Sequence, residues 1–204
     1  MKEITTKMKI FNISLDLFSE FGYNEVTIRK IASNVGIKES SIYNHYSNKE
    51  AILDDIFDYF ISNMKETEIS NDEFSYLLKK DPSKLYNIGS ENIKKQFMKV
   101  KMQKILRLIF IEMFRNEKIK KFFKCEIMDE PIEFWTLFYK TLIDEKVLID
   151  TDPRQLAKYY YEYGLFKMYK VAIIDYPKEN DFEEVFNDIE NYFIFLLNAN
   201  LRQD

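Results

Sequence analysis

Apolar residues in this chain recur in steps of three and four almost from end to end, a period that admits helices and little else. Ile4, Met8, Phe11, Leu15 and Phe18 share one helical face. Ile28, Ile31, Ala32 and Val35 repeat the pattern over two turns, and Leu53, Ile56, Phe57, Phe60, Ile61 and Met64 over a longer stretch. Only 4 Gly and 4 Pro punctuate 204 residues, so long helices joined by short connections are expected. Val147-Leu148-Ile149 is a short apolar run that reads as a buried connection rather than a strand. The expected class is all-α.

Local signals place the boundaries. Gly22 ends the first helix, Thr27 caps a short second one, and Gly36 breaks that helix after two turns. Ser40 to Tyr46 makes another short helix. Ser47 and Glu50 have the spacing of a capping box for a longer helix. A polar run over residues 66–71 reads as a break. Asp81-Pro82, Glu130-Pro131 and Asp152-Pro153 each set a cap before a proline suited to a first helical position. A long helix is expected over 91–115, its second half apolar all round and so buried, with further helices near 131–144, 153–174 and 181–199.

Composition removes several functions. One cysteine, Cys125, and one histidine, His45, leave no internal disulfide and no Cys/His metal cluster, so no metal or cofactor is expected. The most apolar stretch, Ile105 to Phe114, contains Arg107 and Glu112 and is too short to span a bilayer. The first residues carry no apolar run of the signal-peptide kind, so a soluble cytoplasmic protein without a membrane partner is expected. The chain beyond the N-terminal quarter has no histidine, no nucleophile spaced with a base and no glycine-rich phosphate loop, which argues against an enzyme and leaves the catalytic residues as none. Net charge is −4, yet residues 1–50 hold 7 cations against 6 carboxylates while 51–204 hold 23 against 28. Only the N-terminal quarter escapes the acidic balance.

That quarter carries the one constellation with chemistry. Two short helices joined by a glycine turn and packed on a preceding amphipathic helix form a helix-turn-helix, whose exposed short helix can enter a major groove. The runs Thr27-Ile28-Arg29-Lys30-Ile31-Ala32, Val35-Gly36-Ile37, Ile42-Tyr43-Asn44-His45-Tyr46 and Ser47-Asn48-Lys49-Glu50-Ala51-Ile52-Leu53, preceded by Phe18-Ser19-Glu20-Phe21-Gly22-Tyr23, closely resemble the TetR-family DNA-binding domain. The resemblance covers about residues 6–54. It implies a helix-turn-helix domain over 1–48 and a helical effector-binding and dimerisation domain over 49–204. It also implies a transcriptional regulator that binds two-fold double-stranded DNA as a homodimer and answers to a small-molecule effector. Carried over by motif, Thr27 contacts phosphate, Tyr43 and His45 bond to the DNA backbone, Lys49 pairs with another phosphate, and Ser40, Ser41 and Asn44 face the groove.

The residues themselves agree in part. Arg29 and Lys30 stand in a first helical turn, where the dipole disfavours cations; a phosphate would offset that, or the turn is merely solvated. His45 lies among Tyr, Asn and Lys, which favours phosphate contact over a structural role. The chain departs from the family pattern at Lys38, where a capping Ser or Thr is usual, and at Glu39. Lys38 can serve as a phosphate contact; Glu39 suits the helix dipole or accepts from a cytosine amino group.

Downstream, the resemblance implies that the last two helices pair with their copies. Ala157 and Gly164 fall seven residues apart on one face, and Phe182, Val185, Phe186, Ile189, Phe193 and Leu196 form a stripe on the last helix, as a dimer interface or as monomer core. Phe97, Met102, Phe110, Met113, Phe114, Phe134, Trp135, Phe138 and Tyr163 are candidates to line a pocket for an apolar or aromatic ligand, or for a lipophilic cation if Glu112 or Glu162 turns inward. The helix from Asn48 to about Lys65, the only long element leading out of the head, is expected to carry the ligand signal. Two rivals remain at this point: a repressor controlled by a protein partner without a small ligand, and an enzyme in the helical domain.

Overall fold

The computed structural model describes residues 5–67, 69–175 and 181–202. Eleven α-helices occur among them, with no strand. Ile4, placed on the first helical face above, lies outside the described residues.

The head is built by its caps. In α1 (Thr6–Phe21) the Thr5 hydroxyl accepts from the Met8 N–H at 3.3 Å, and Gly22 ends the helix at φ 86°. In α2 (Ile28–Val35) Thr27 Oγ1 accepts from the Lys30 N–H at 3.1 Å, and Gly36 closes it in the left-handed region at φ 79°, where glycine carries no Cβ penalty. The third element is shorter than its sequence suggests. Helix α3 spans only Glu39–Ile42, and residues 43–45 continue as a turn in which the His45 and Tyr46 N–H groups donate to Ile42 O. Lys38 stands at its N-cap without a side-chain bond, so nothing reinforces a longer helix. In α4 (Lys49–Lys65) the cap is Asn48, whose Oδ1 accepts from Ala51 N–H at 2.8 Å, rather than Ser47. Glu50, the other half of the expected box, is drawn instead to Lys118 at 2.7 Å.

The remaining helices are α5 (Asn71–Lys80), α6 (Pro82–Phe97), α7 (Val100–Glu112), α8 (Glu117–Phe122), α9 (Glu130–Asp144), α10 (Pro153–Tyr169) and α11 (Asp181–Asn200). The single helix expected over 91–115 is broken at Met98 and Lys99 with no Gly or Pro to mark the place. Polar side chains stabilise the break: Gln103 Nε2 donates to Phe97 O at 2.8 Å, and Lys99 Nζ donates to Asn63 Oδ1 at 2.8 Å and Gln96 Oε1 at 2.5 Å. Asp81 and Asp152 cap the helices that begin at Pro82 and Pro153, as their spacing predicts. Glu130-Pro131 does open α9, with Pro131 in its first turn as expected, but Glu130 is the first helical residue rather than a cap. The pair lies inside a continuous run in which a π-helical segment, Phe123–Asp129, joins α8 to α9; the wide turns accommodate a proline that has no N–H to give. A second π-helical segment, Lys170–Ile174, extends α10.

Two apolar clusters hold these helices. The first joins Ile10, Phe18, Ile31 and Ile42 of the head to Ile52 and Phe57 of α4, Met102 and Ile109 of α7, Ile119 of α8 and Phe186 of α11. It runs through residue 48 without interruption. The second lies among α5, α6, α9, α10 and α11, around Tyr86, Phe138, Tyr139, Tyr160 and Phe193. Of the run 147–149 only Leu148 is buried; it forms one antiparallel bridge with Leu201, and Ile149 N–H donates to Asn200 O at 2.9 Å.

Candidate nucleic-acid interface

The α3 segment is anchored from below and polar above. Ile42 and Tyr46 are buried, and Tyr46 donates its hydroxyl to Asp55 Oδ2 on α4 at 2.5 Å, which fixes the end of the turn. Burial, with this bond to a carboxylate, pushes the Tyr46 hydroxyl well above its ordinary range, so it remains a donor. Between these anchors Lys38, Ser40, Tyr43, Asn44 and His45 are exposed and Ser41 is half-buried. Thr27 and Arg29 are exposed at the start of α2. The Thr27 oxygen is used as an acceptor by the cap, which leaves its O–H to donate. Lys30 is occupied: its ammonium lies 3.5 Å from the centroid of the Phe21 ring.

Lys49 is placed differently from the phosphate-facing role expected of it. Its ammonium turns back under the α1–α2 turn, donating to Tyr23 O at 2.9 Å and Val26 O at 3.0 Å and lying 4.1 Å from the centre of the Tyr23 ring. Burial lowers its affinity for the proton. With two of its three donors spent inside, one N–H is left.

Glu112, on α7, completes the same junction. It is 3% exposed, and its Oε1 accepts from the Tyr23 N–H at 3.0 Å. The carboxylate therefore turns inward, but toward the head rather than toward a ligand. Two further bonds dock α1 on α7: Lys104 with Asp16 at 2.6 Å, and Arg107 Nε donating to Ser19 O at 3.0 Å while its Nη1 donates to Ala172 O at 2.8 Å. Helix α4 is thus not the only connection between head and effector domain. The sequence signal for this was the two charges, Arg107 and Glu112, in the otherwise apolar stretch Ile105 to Phe114.

The nine pocket candidates do not come together around a cavity. Phe97, Met102, Phe110 and Phe138 are packed in the core. Phe114 and Phe134 are exposed, at 82% and 46%, because they fall on outward faces. Met113, Trp135 and Tyr163 are half-buried. A groove of about 480 Å³ runs between α6 and α11, lined by Asn87, Ser90, Glu91, Lys94, Phe186 and Glu190 among others, none of them a candidate. The Tyr139 hydroxyl, buried among the second cluster, has no hydrogen-bond partner.

The dimer stripe is also corrected. Ala157, Phe182, Phe186, Ile189, Phe193 and Leu196 are buried and Val185 half-buried within one chain, and Gly164 packs on Ile189. The stripe is the seam between α10, α11 and their neighbours. The face left open carries Tyr159, Phe166 and Phe195, exposed at 52%, 60% and 62%, with Tyr163 and Tyr192 between them, their rings 4.1 Å apart. Tyr159, Tyr163 and Phe166 step by four and three, one helical face.

Residues 10–56 match the family model described as bacterial regulatory proteins, tetR family. Over 59 residues the chain is 44% identical to the biofilm operon icaADBC HTH-type negative transcriptional regulator IcaR of Staphylococcus epidermidis; the match covers 27% of this chain and 32% of that protein. The chain thus matches about a third of that relative's length. The solved structure of the ketosteroid transcriptional regulator KstR2 of Mycobacterium tuberculosis aligns with a TM-score of 0.66 at 14% identity, over 99% of this chain and 98% of that one. Thermus thermophilus FadR, a TetR-family transcriptional repressor in complex with lauroyl-CoA, aligns at 0.56 and 18%, over 97% and 96%. Among the described residues no helix is long and apolar enough to cross a membrane. Residues 10–56 thus match the tetR-family model of bacterial regulatory proteins, and the described residues as a whole share the fold of these solved structures.

Proposed function

We propose that this chain is a sequence-specific DNA-binding transcriptional repressor that acts as a two-fold dimer and is released from its operator by a small hydrophobic or aromatic ligand. The observation that carries the reading is the exposed polar surface of Lys38, Ser40, Tyr43, Asn44 and His45 held on the buried anchors Ile42 and Tyr46, within a domain similar to that of a negative regulator. Asn44 and the serines have the donors and acceptors to read base edges; Thr27, Arg29, Lys38, Tyr43, His45 and the remaining N–H of Lys49 have those to hold phosphates. The open aromatic face of α10 and α11 is the surface through which two copies would pair, setting two recognition segments about 34–36 Å apart. Selection from a random-sequence duplex library should return two-fold sites with that half-site spacing. A pool that gains no symmetric sequence would refute the reading.

Ligand control is supported by the relatives, one named for ketosteroids and one solved with lauroyl-CoA, and by the unpartnered Tyr139 hydroxyl in an aromatic cluster. A ligand among these helices would act on the head through α7 as well as α4, because α7 holds α1 by two polar contacts and the turn after it by a third. A coupling of about 3 kcal/mol lowers DNA affinity more than a hundredfold. The closed packing of Phe97, Met102, Phe110 and Phe138 favours a second reading, a repressor controlled by a protein partner. A thermal-shift screen of hydrophobic compounds separates the two: the first requires a stabilising compound that also releases DNA, and the second predicts none.

A further inference from the structure

One segment of the acidic effector domain has the opposite charge. Residues 113–124 carry Arg115, Lys118, Lys120, Lys121 and Lys124 against Glu117 alone, in a chain whose net charge is −4. The fold sets the start of this segment beside the head. On one side Glu112 is bonded to the Tyr23 N–H at 3.0 Å, and the Arg115 and Asn116 N–H groups return to Glu112 O at 2.9 and 3.0 Å. On the other, Lys118 Nζ lies 2.7 Å from Glu50 and 2.5 Å from Asp54, in the first two turns of α4. The loop between them is therefore fixed at both ends to the elements that present Thr27 and Lys49. Its tip is open: Phe114 is 82% exposed, and Arg115 is exposed.

Direction decides which cation matters. Phe122 stacks on Phe57 at 4.1 Å, so α8 descends alongside α4, away from the α4 N-terminus. Phe57 is eight residues below Lys49, about 12 Å at 1.5 Å per residue. Lys121 and Lys124 are thus about a Debye length or more from the α4 N-terminus at 0.1 M salt and act only at long range. Arg115 is at the upper end, its N–H bonded to the carbonyl of Glu112, whose side chain holds the Tyr23 N–H at the start of the turn that leads to Thr27. Of the carboxylates nearby, Glu50 and Asp54 share Lys118, and Glu117 pairs with Lys120 at 3.3 Å.

We infer that Arg115, from the effector domain, is an additional DNA-phosphate contact beside the one made by Thr27. The inference rests on the DNA-binding reading above. A planar guanidinium on a loop fixed at both ends can hold a phosphate through two N–H groups without first ordering a flexible arm. The test uses the full chain and a fluorescent mixed-sequence duplex of about 40 base pairs, long enough for both heads. Affinity is measured by anisotropy between about 50 and 200 mM salt. Arg115→Ala should weaken binding severalfold and flatten the slope of log affinity against log salt by about two units per dimer, one for each subunit. Arg115→Glu should weaken it further, and Arg115→Lys should restore most of the slope. A wild-type chain that binds while Arg115→Ala and Arg115→Glu match its affinity and slope overturns the inference and leaves the DNA-binding reading standing. A wild-type chain that binds no duplex at low salt removes both.

Discussion

Gly22→Ala places one methyl group at the most crowded point of the junction between head and effector domain. The backbone there has φ 86° and ψ 152°, a region that residues with a Cβ rarely enter, which costs about 1–3 kcal/mol. The new Cβ would also lie 2.4 Å from Glu112 Oε1. Glu112 must then move, and the bond from Tyr23 N–H to a buried carboxylate is lost, at about 1.5–3 kcal/mol. Together the loss is about 2.5–6 kcal/mol, which for a chain of this size lowers Tm by on the order of 10 °C. Urea unfolding followed by far-ultraviolet circular dichroism, at one protein concentration for all variants, measures it. A loss below about 1 kcal/mol would refute both parts of the reasoning. A double-mutant cycle isolates the clash: with Glu112→Ala already in place, Gly22→Ala should cost only the backbone strain, a coupling of about 1.5–3 kcal/mol. If the two changes add within about 0.5 kcal/mol, Glu112 is not what Gly22 accommodates.

Lys49→Ala should reduce stability as well as DNA affinity, by about 1–3 kcal/mol, because Tyr23 O and Val26 O lose their donor; an unchanged urea midpoint would return Lys49 to a purely DNA-facing role. Phe195→Asp and Tyr159→Asp, on the open face of α10 and α11, should yield folded monomers in sedimentation, whereas Phe193→Asp on the inner seam should unfold the chain; a dimer surviving both outer changes would move the interface elsewhere. Burial raises the hydroxyls of Tyr139, Tyr160 and Tyr161, and burial with the Asp55 bond raises that of Tyr46, all above the ordinary value of 10.0. The folded state therefore keeps protons that the unfolded chain releases, so stability is full below pH 10 and falls as pH rises beyond it. The tyrosinate absorbance of these four should appear only together with unfolding, and ionisation of all tyrosines near pH 10 in a chain that stays folded would contradict the burial.

What the sequence could reveal was mostly local. Thr27, Gly36, Asp81 and Asp152 act within three or four residues of themselves, and each does what its spacing predicts. The same holds for the head, whose motif is a run of near neighbours. Long-range choices were not legible. The apolar stripe of α11 has the same period whether it meets α6 and α10 of its own chain or a second copy, and only the burial of Phe186 and Phe193 decides. Helix α7 was hidden because Lys99 and Gln103 stabilise a helix break that carries no Gly or Pro. The aromatic residues named for a pocket were chosen by type, and type does not separate Phe110 at 3% exposure from Phe114 at 82%. Asn48 caps α4 in place of Ser47, and Glu50 pairs with a residue 68 positions away, which no local spacing reveals.

The first apolar cluster has a consequence for anyone who wishes to transplant this head onto another sensor. A splice at residue 48 looks natural in the sequence, yet it would sever Ile10, Phe18 and Ile42 from Ile52, Phe57, Met102 and Ile109, with which they share one interior. A fragment ending there would expose that interior to water, at about 1.5–3 kcal/mol for each large side chain uncovered. The portable unit is discontinuous: residues 5–65 together with α7, joined by Glu112, Arg107 and Lys104. A working chimera must therefore import two separate stretches of chain, and a recipient that supplies its own α7 must reproduce a buried carboxylate opposite a glycine.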